Sequence, residues 1–405
     1  MQIQRIKSIK EIGEQDCIDL EIDSNDHNFY ADEIVVSNSH AYAYSYLSVV
    51  TAYLKYTHPQ EFFLALLKNA KNESKTYLEI SEIFKELPHF GIQLLPPDLI
   101  KSQEDFSIDG KNIRCGIGNI KGISDKGLKT LQEFKNKEYP NKFELFIQAA
   151  NSKISIGVLS ALIQAGVNMC ENTNSRNRFV LEAQTWNLLT DREKLTFLKL
   201  GESYNYDILQ LLQECFAGKI KDENGKLIIK ESRANTIRRD YAKPKEIYEK
   251  NKKFPKFCNF YYEKSLLGFN YSVKLLDCFP EDTDLTNTEL AKQVDERELV
   301  NVVGFVKESF KGKSRKGSQY MRIIVEDEYG ECTFIMGENG VARWNFKDKP
   351  LPSEGDIIYC SGIKSNDAFF LNDFENFDQK IYLKFGELAK DKRKKEKENN
   401  EEVDD

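Results

Sequence analysis

Residues 1–38 carry a strand pattern that gives way at once, with no capping sequence between, to a helical one. Ile18, Leu20 and Ile22 alternate with Asp19, Glu21 and Asp23, the period-2 pattern of a half-buried strand. Ser24-Asn25-Asp26 is a turn signal. Asn28-Phe29-Tyr30 and Ile34-Val35-Val36 read as two further short strands. Three strands in so few residues cannot bury a core, so the segment needs a partner sheet. From Ser39 onward Tyr42, Tyr46, Val49, Tyr53 and Leu54 recur at helical spacing. His58-Pro59 ends that helix, and Gln60 to Leu67 begins another. A globular domain seldom opens on an uncapped amphipathic helix. Core packing is the expectation for most of the tyrosine stripe.

Charge is divided along the same line. The 405-residue chain has a net charge of −7. Residues 1–38 hold three basic and nine acidic groups; the other 367 hold 55 and 56. Whole-chain acidity is therefore no argument against nucleic-acid binding by the larger part. The length suggests about two to four domains. The eight cysteines are scattered without a C-x-x-C pair and there are four histidines, which argues against a structural zinc site and suits a reducing compartment. No apolar run is long enough for a membrane span, and the N-terminus lacks a signal-peptide core. A cytoplasmic location follows as the expectation, with no membrane partner.

Further along, IGNIKGISDKGLKTLQEF reads as helix, tight turn, helix. Gly122 permits the turn, and Ser124 or Asp125 can cap the next helix. The helix start is suited to an anion, with Lys121, Lys126 and Lys129 around it. Residues 152–168 read as a packing helix. Asn172 to Arg178 is polar and reads as a loop, and Leu188 to Phe216 as helical. Gln210 to Phe216 has the Gln and apolar anchors of a sliding-clamp peptide without its compact spacing, which favours a core helix; a clamp stays open as a partner. Residues 219–253 carry twelve basic and six acidic groups, and Arg233, Arg238 and Arg239 are candidate phosphate contacts or a solvated face. Between 296 and 385, five strand-like runs separated by turns describe an OB-type barrel. Its first loop carries Lys311, Lys313, Arg315 and Lys316; Phe310, Tyr320 and Phe369 are candidates for stacking bases, while Phe334 reads as core. A protein-docking barrel is the alternative. Residues 387–405, with six basic and eight acidic groups and no aromatic, read as a disordered tail.

Two resemblances organise these readings. CIDLEI, DHNFYADEIVV and VVSN followed by Ser resemble, in order and spacing, the blocks of the C-terminal half of a split intein. The resemblance implies that Asn38 is the terminal residue and Ser39 the first cargo residue, with His27 and Asp19 assisting; Ser37 stands where many inteins have His. Splicing is expected in trans, with a basic partner half drawn to the acidic leader. The residues alone also allow a plain β-hairpin or a fragment that no longer splices. SHAYAYSYL, HPQEFFLALL, HFGIQLLPPDLI with Pro96-Pro97, IRCGIGNIKGIS and EKSLLGFNYS resemble the bacterial replicative DNA polymerase III alpha subunit, family C, over most of 39–375.

The two resemblances and the composition together give a multidomain α+β chain: an all-β intein fragment (1–38), the end of the polymerase fingers (39–110), a helix-hairpin-helix region (111–170), a helical basic connector (171–295), an OB-fold (296–385) and the tail (386–405). The polymerase resemblance implies DNA contacts at Lys121, Gly122, Ser124, Lys126, Lys311, Lys313, Arg315, Lys316, Tyr320 and Phe369, and admits one at His40. It implies as partners primer-template DNA and an N-terminal polymerase fragment bearing the N-terminal intein half. No cofactor or metal is expected on this chain; Mg is expected at the partner's palm, where nucleotidyl transfer would occur. The alternative is a non-catalytic DNA-binding accessory protein with the same two modules.

Overall fold

The computed structural model describes residues 28–31, 34–37, 40–73, 75–135, 137, 139–170, 175–222, 224–281, 283–314, 317–346, 350–377 and 380–401, with side chains from 44 to 396. The chain divides into two compact units at Phe62/Phe63.

In the first unit, β1 (Asn28–Ala31) and β2 (Ile34–Ser37) pair antiparallel, Phe29 opposite Val36 and Tyr30 opposite Val35. These are two of the three expected strands; the third, Ile18 to Asp23, lies outside the described residues. Helix α1 (His40–Thr57) stops where the His58-Pro59 signal places its end, and Pro59 opens α2 (Pro59–Ala70), a position where its missing N–H costs nothing. The tyrosine stripe departs from the core expectation: Tyr46, Val49, Tyr53 and Leu54 are all exposed, and the side chain of Tyr42 lies outside the described residues.

The second unit begins with the buried end of α2, where Phe63 meets Phe90 edge to face at 5.1 Å. Helix α3 (Thr76–Glu86) follows, then a small sheet of β3 (Leu94–Leu95), β4 (Ser107–Asp109) and β5 (Asn112–Arg114) in the order β3-β5-β4. A helical body follows: α4 (Asp125–Phe134), α5 (Lys142–Asn151), α6 (Ile156–Gln164), α7 (Arg176–Asn187), α8 (Asp191–Leu200), α9 (Ile208–Phe216), α10 (Glu231–Asn251) and α11 (Pro255–Leu267). Two corrections arise here. The run 188–216 is not one helix: Thr190 and Glu193 form a capping box that starts α8, and Asp207 caps α9. Arg176 to Arg178 belong to α7 and not to a loop, because both arginines serve buried carboxylates. Arg176 Nη1 donates to Glu263 at 2.7 Å; Arg178 bridges Glu182 and Asp207, and Lys142 also reaches Glu182 at 2.7 Å. Such pairs tie α5, α7, α9 and α11 together.

The five predicted strands form, within about three residues of their expected bounds: β6 (Leu299–Lys313), β7 (Gln319–Glu326), β8 (Glu331–Met336), β9 (Ile357–Ser365) and β10 (Ala368–Asn376). They close into a barrel in the order β10-β8-β7-β6-β9, with β8 and β10 parallel and every other pair antiparallel. That is the five-stranded OB topology. The short α12 (Thr288–Gln293) precedes it, and α13 (Glu338–Phe346), absent from the sequence reading, joins β8 to β9. Met321, Ile323, Phe334, Cys360 and Phe369 fill the interior. The outside of the barrel rests on α11, with Phe260 stacked on Phe305 at 5.7 Å.

The chain from Phe385 is not disordered but forms α14 (Phe385–Glu401). Charge composition missed its anchors. Ile381, Tyr382 and Leu388 are buried, and the Asn251 side chain clasps the Tyr382 backbone, donating to its carbonyl at 2.8 Å and accepting from its N–H at 3.2 Å. Lys392 pairs with Glu246 of α10. Among the described residues no helix is long and apolar enough to cross a membrane.

Candidate nucleic-acid interface

The first candidate is the turn before α4. A single 3-10 turn, Ile117–Asn119, stands where the sequence suggested a full helix. It is held against the preceding loop: Ile117 N–H donates to Gln103 O at 3.0 Å and Gly118 N–H to Glu104 O at 2.8 Å. A Cβ on Gly116 would sit 2.5 Å from the Glu104 carbonyl oxygen, so only glycine allows this approach. The chain then reverses at Gly122, whose φ is +94°. Ser124 is extended at φ −86° and caps α4, its Oγ accepting from Gly127 N–H at 3.3 Å. No left-handed residue is needed there, so serine fits.

The first intrahelical bond of α4 runs from Leu128 N–H to Ser124 O, so the N–H groups of Asp125 and Lys126 point out of the helix start. With the helix dipole they make an anion site. Lys121, Gly122, Ser124, Lys126 and Lys129 are all exposed around it. The structure thus brings together the four contacts expected at the hairpin. Lys121 is also anchored: its N–H donates to Leu266 O at 2.9 Å, and its ammonium sits 5.4 Å from the centre of the Tyr77 ring. Burial pushes the Tyr77 phenol up to about 12.

A second hairpin went unread in the sequence. Between α5 and α6 the chain turns at Lys153, φ +56°, and Ser155 caps α6, its Oγ accepting from Val158 N–H at 3.3 Å. The two helix starts are neighbours: a Cβ on Gly127 of α4 would stand 3.4 Å from Val158 Cγ2 of α6. The signal was a Ser cap before an apolar run, with Lys153 just upstream; the apolar run alone read as packing. Lys153 and Ser155 therefore join the candidate residues.

On the barrel, Lys311 and Lys313 are exposed at the end of β6, and Tyr320 is half-buried on β7, edge to face with Phe310 at 5.8 Å. Lys311 donates to the Asn345 side chain at 2.7 Å. Arg315 and Lys316 lie outside the described residues. Phe369 is a correction: it is 2 % exposed, stacked on Phe334 inside the barrel at 5.0 Å, and cannot meet a base. Its neighbour Phe370 is 59 % exposed. Phe370 lies opposite Ile335 and Ile363, and Ile335 opposite Arg322, which faces Phe310. This outward row carries the aromatic surface of the barrel. Leu371 is buried on the same face as Phe369, two residues away, and Phe370 between them takes the other face.

Other candidates fare differently. Arg233 is committed to Glu193 and the Leu188 carbonyl; Arg238 pairs with Glu231 and lies over the Phe216 ring; Arg239 pairs with Asp240. Helix α10 spends these arginines on its own neighbours. Leu211, Leu212 and Cys215 of α9 are buried, as a core helix requires. His40 opens α1, its side chain outside the described residues. The splicing candidates Asp19, His27, Asn38 and Ser39 also lie outside them.

Comparison with known proteins places these elements. A helix-hairpin-helix motif family matches residues 91–178. DNA polymerase III subunit alpha of Aquifex aeolicus is 37% identical over 133 residues, which cover 32% of this chain and 11% of that protein. The same subunit of Campylobacter jejuni is 24% identical over 382 residues, covering 89% of this chain and 29% of that protein. The chain spans less than a third of the length of these relatives. Among solved structures, the mitochondrial single-stranded DNA binding protein Rim1 of S. cerevisiae aligns with 21% of this chain and 100% of its own, at 11% identity and a TM-score of 0.18.

Proposed function

We propose that this chain is the C-terminal precursor of a replicative DNA polymerase similar to DNA polymerase III alpha, contributing DNA binding to DNA-templated synthesis. The similarity to that subunit over 89% of the chain carries the proposal. The hairpin supports it by offering backbone N–H groups and lysines to phosphate, and the barrel by offering an outward aromatic row to bases. Palm carboxylates and their Mg belong to the N-terminal part, on a second polypeptide, and nucleotidyl transfer to the assembled product.

The two parts are joined by splicing. The Asn38 side-chain nitrogen attacks its own carbonyl, closing a succinimide and breaking the Asn38–Ser39 bond. Ser39, whose hydroxyl already holds the upstream acyl group as an ester, is left with a free amine, and that amine takes the acyl group to form a peptide bond. His27 moves the protons.

Co-expression with an N-terminal polymerase part bearing the N-terminal intein half tests both claims. Mass spectrometry should find one ligated chain lacking residues 1–38, and Asn38→Ala should abolish it. A persisting unligated chain that supports primer extension with its partner would replace splicing by subunit association. A chain that binds DNA but adds nothing to extension would be the accessory protein.

A further inference from the structure

Behind the first hairpin lies a cleft of about 700 Å³ that the hairpin reading does not use. One wall is α6, presenting Gly157, Ser160 and Ala161; α10 and α11 form the others, and the chain entering α14 closes one end. Gly122 and Lys121 stand at its mouth. The volume falls within the range of small-ligand sites.

Three features set the cleft apart from an ordinary groove. First, Ser160 is 9 % exposed, yet its Oγ has no hydrogen-bond partner among the described residues. The residue lines the cleft, and an unsatisfied buried hydroxyl beside a cavity marks a place for a polar ligand atom. Second, cations converge from separate elements: Lys121 from the hairpin, Lys243 from α10 and Lys384 from the entry to α14. Three lysines nearby are paired, Lys252 with Glu249, Lys392 with Glu246 and Lys380 with Asp391. Neither Lys243 nor Lys384 makes an ion pair among the described residues, although Asp240 on α10 interacts electrostatically with Lys243. The nearby Glu387 is already held by the N–H groups of Leu383 and Lys384, at 2.8 and 3.1 Å. Third, the floor is apolar and aromatic, with Ala161, Ile247, Leu266, Tyr261 and Phe385.

We infer that this cleft binds a nucleotide, its phosphate at the lysine mouth and its base on the apolar floor against Tyr261 and Phe385, with a polar base atom meeting Ser160. A cationic rim over an apolar floor matches a ligand that is anionic at one end and planar and apolar at the other. The nucleotide has two possible sources, an unstacked unit of a bound strand or a free nucleoside triphosphate. The strand source rests on the nucleic-acid reading above; the free source does not.

The test uses the full chain with two probes, a fluorescein-labelled single-stranded dT oligonucleotide and fluorescent mant-dATP, read by anisotropy. Lys243→Ala/Lys384→Ala is the main variant, since both side chains are exposed and their loss leaves packing intact; Ser160→Ala is the second, with circular dichroism melting to confirm folding. If a strand supplies the nucleotide, the double variant weakens oligonucleotide binding roughly tenfold and flattens its salt slope by about 1.4. If a free nucleotide is the ligand, mant-dATP binding saturates on the parent chain and is lost in the double variant. Unchanged binding of both probes in both variants overturns the site. Lys126→Ala, outside the cleft, separates the two readings. Weaker DNA binding by that variant alone leaves the hairpin function standing and removes the cleft. Mant-dATP binding that depends on the cleft, with no DNA bound, does the reverse.

Discussion

The hairpin region and the barrel both present a surface suited to nucleic acid, by opposite means. The hairpin offers backbone N–H groups at two capped helix starts, with exposed Lys121, Lys126 and Lys153 around them and, among its described residues, no exposed aromatic ring. The barrel offers Phe370 and the half-buried Phe310 and Tyr320 on its outer face, with Lys311 and Lys313 at one end. A dipole and a lysine recognise phosphate whatever the base; a ring recognises an unstacked base whatever the backbone geometry. Duplex suits the first and single strand the second. Both lean on α11: Lys121 N–H donates to Leu266 O, and Phe305 stacks on Phe260. One helix thus braces both surfaces.

The comparison can be broken first at the barrel core. Phe369→Ala should cost about 3–5 kcal/mol of stability by leaving a cavity beside Phe334, visible as a lowered midpoint in urea. Phe370→Ala should leave that midpoint within about 0.5 kcal/mol and weaken single-strand binding by about 1–3 kcal/mol. A larger stability loss from Phe370→Ala than from Phe369→Ala would put the inward and outward faces the other way round.

The next effect belongs to the joint between barrel and helices. Burial, with Asp327 adding to it, pushes the Glu328 carboxyl up to about 7 from 4.5, although Leu275 N–H donates to it at 3.1 Å. Its folded pKa lies above the unfolded value, so the folded chain binds more protons between the two, and stability falls as pH rises through that window. The loss is on the order of 2–3 kcal/mol by pH 8. Urea titrations at pH 5 and pH 8 should show it, and Glu328→Gln should flatten the difference; an unchanged slope in that variant would place the pH dependence elsewhere.

At the hairpin, Ser124→Ala removes a cap and should cost about 1 kcal/mol, with a matching loss of duplex affinity and little change in single-strand binding. The smallest effect sharpens the contrast most. Lys126→Ala should lower the salt slope of duplex binding by about 0.9, whereas Phe370→Ala should leave that slope unchanged. A slope change from Phe370→Ala would mean that the barrel also grips phosphate.

Local pattern made much of this legible. The strands of the barrel alternate with period 2 and are punctuated by glycine and polar turns, so each could be placed without its neighbours. Gly122, Ser124 and the surrounding lysines announced the first hairpin because a turn and a cap are properties of a few consecutive residues. Phe369 and Phe370 show where local pattern fails: within a run of consecutive apolar residues, period alone does not say which ring turns inward. Arg176 and Arg178 looked like loop residues because their carboxylate partners, Glu263 and Glu182, lie elsewhere in the sequence. The second hairpin hid inside a run whose apolar content signalled only packing.

By itself the sequence determined the α+β order of elements, the turn at Gly122, the cap at Ser124 and the five barrel strands, because these follow from backbone preference and short-range periodicity. Only the tertiary structure decided which aromatic faces outward, which arginines are spent on buried carboxylates, and that the charged C-terminal run is a docked helix held by Asn251. It also assembled a cleft from Lys121, Lys243 and Lys384, which are up to 263 positions apart. Burial and pairing depend on which distant surfaces meet, and no local pattern contains that information.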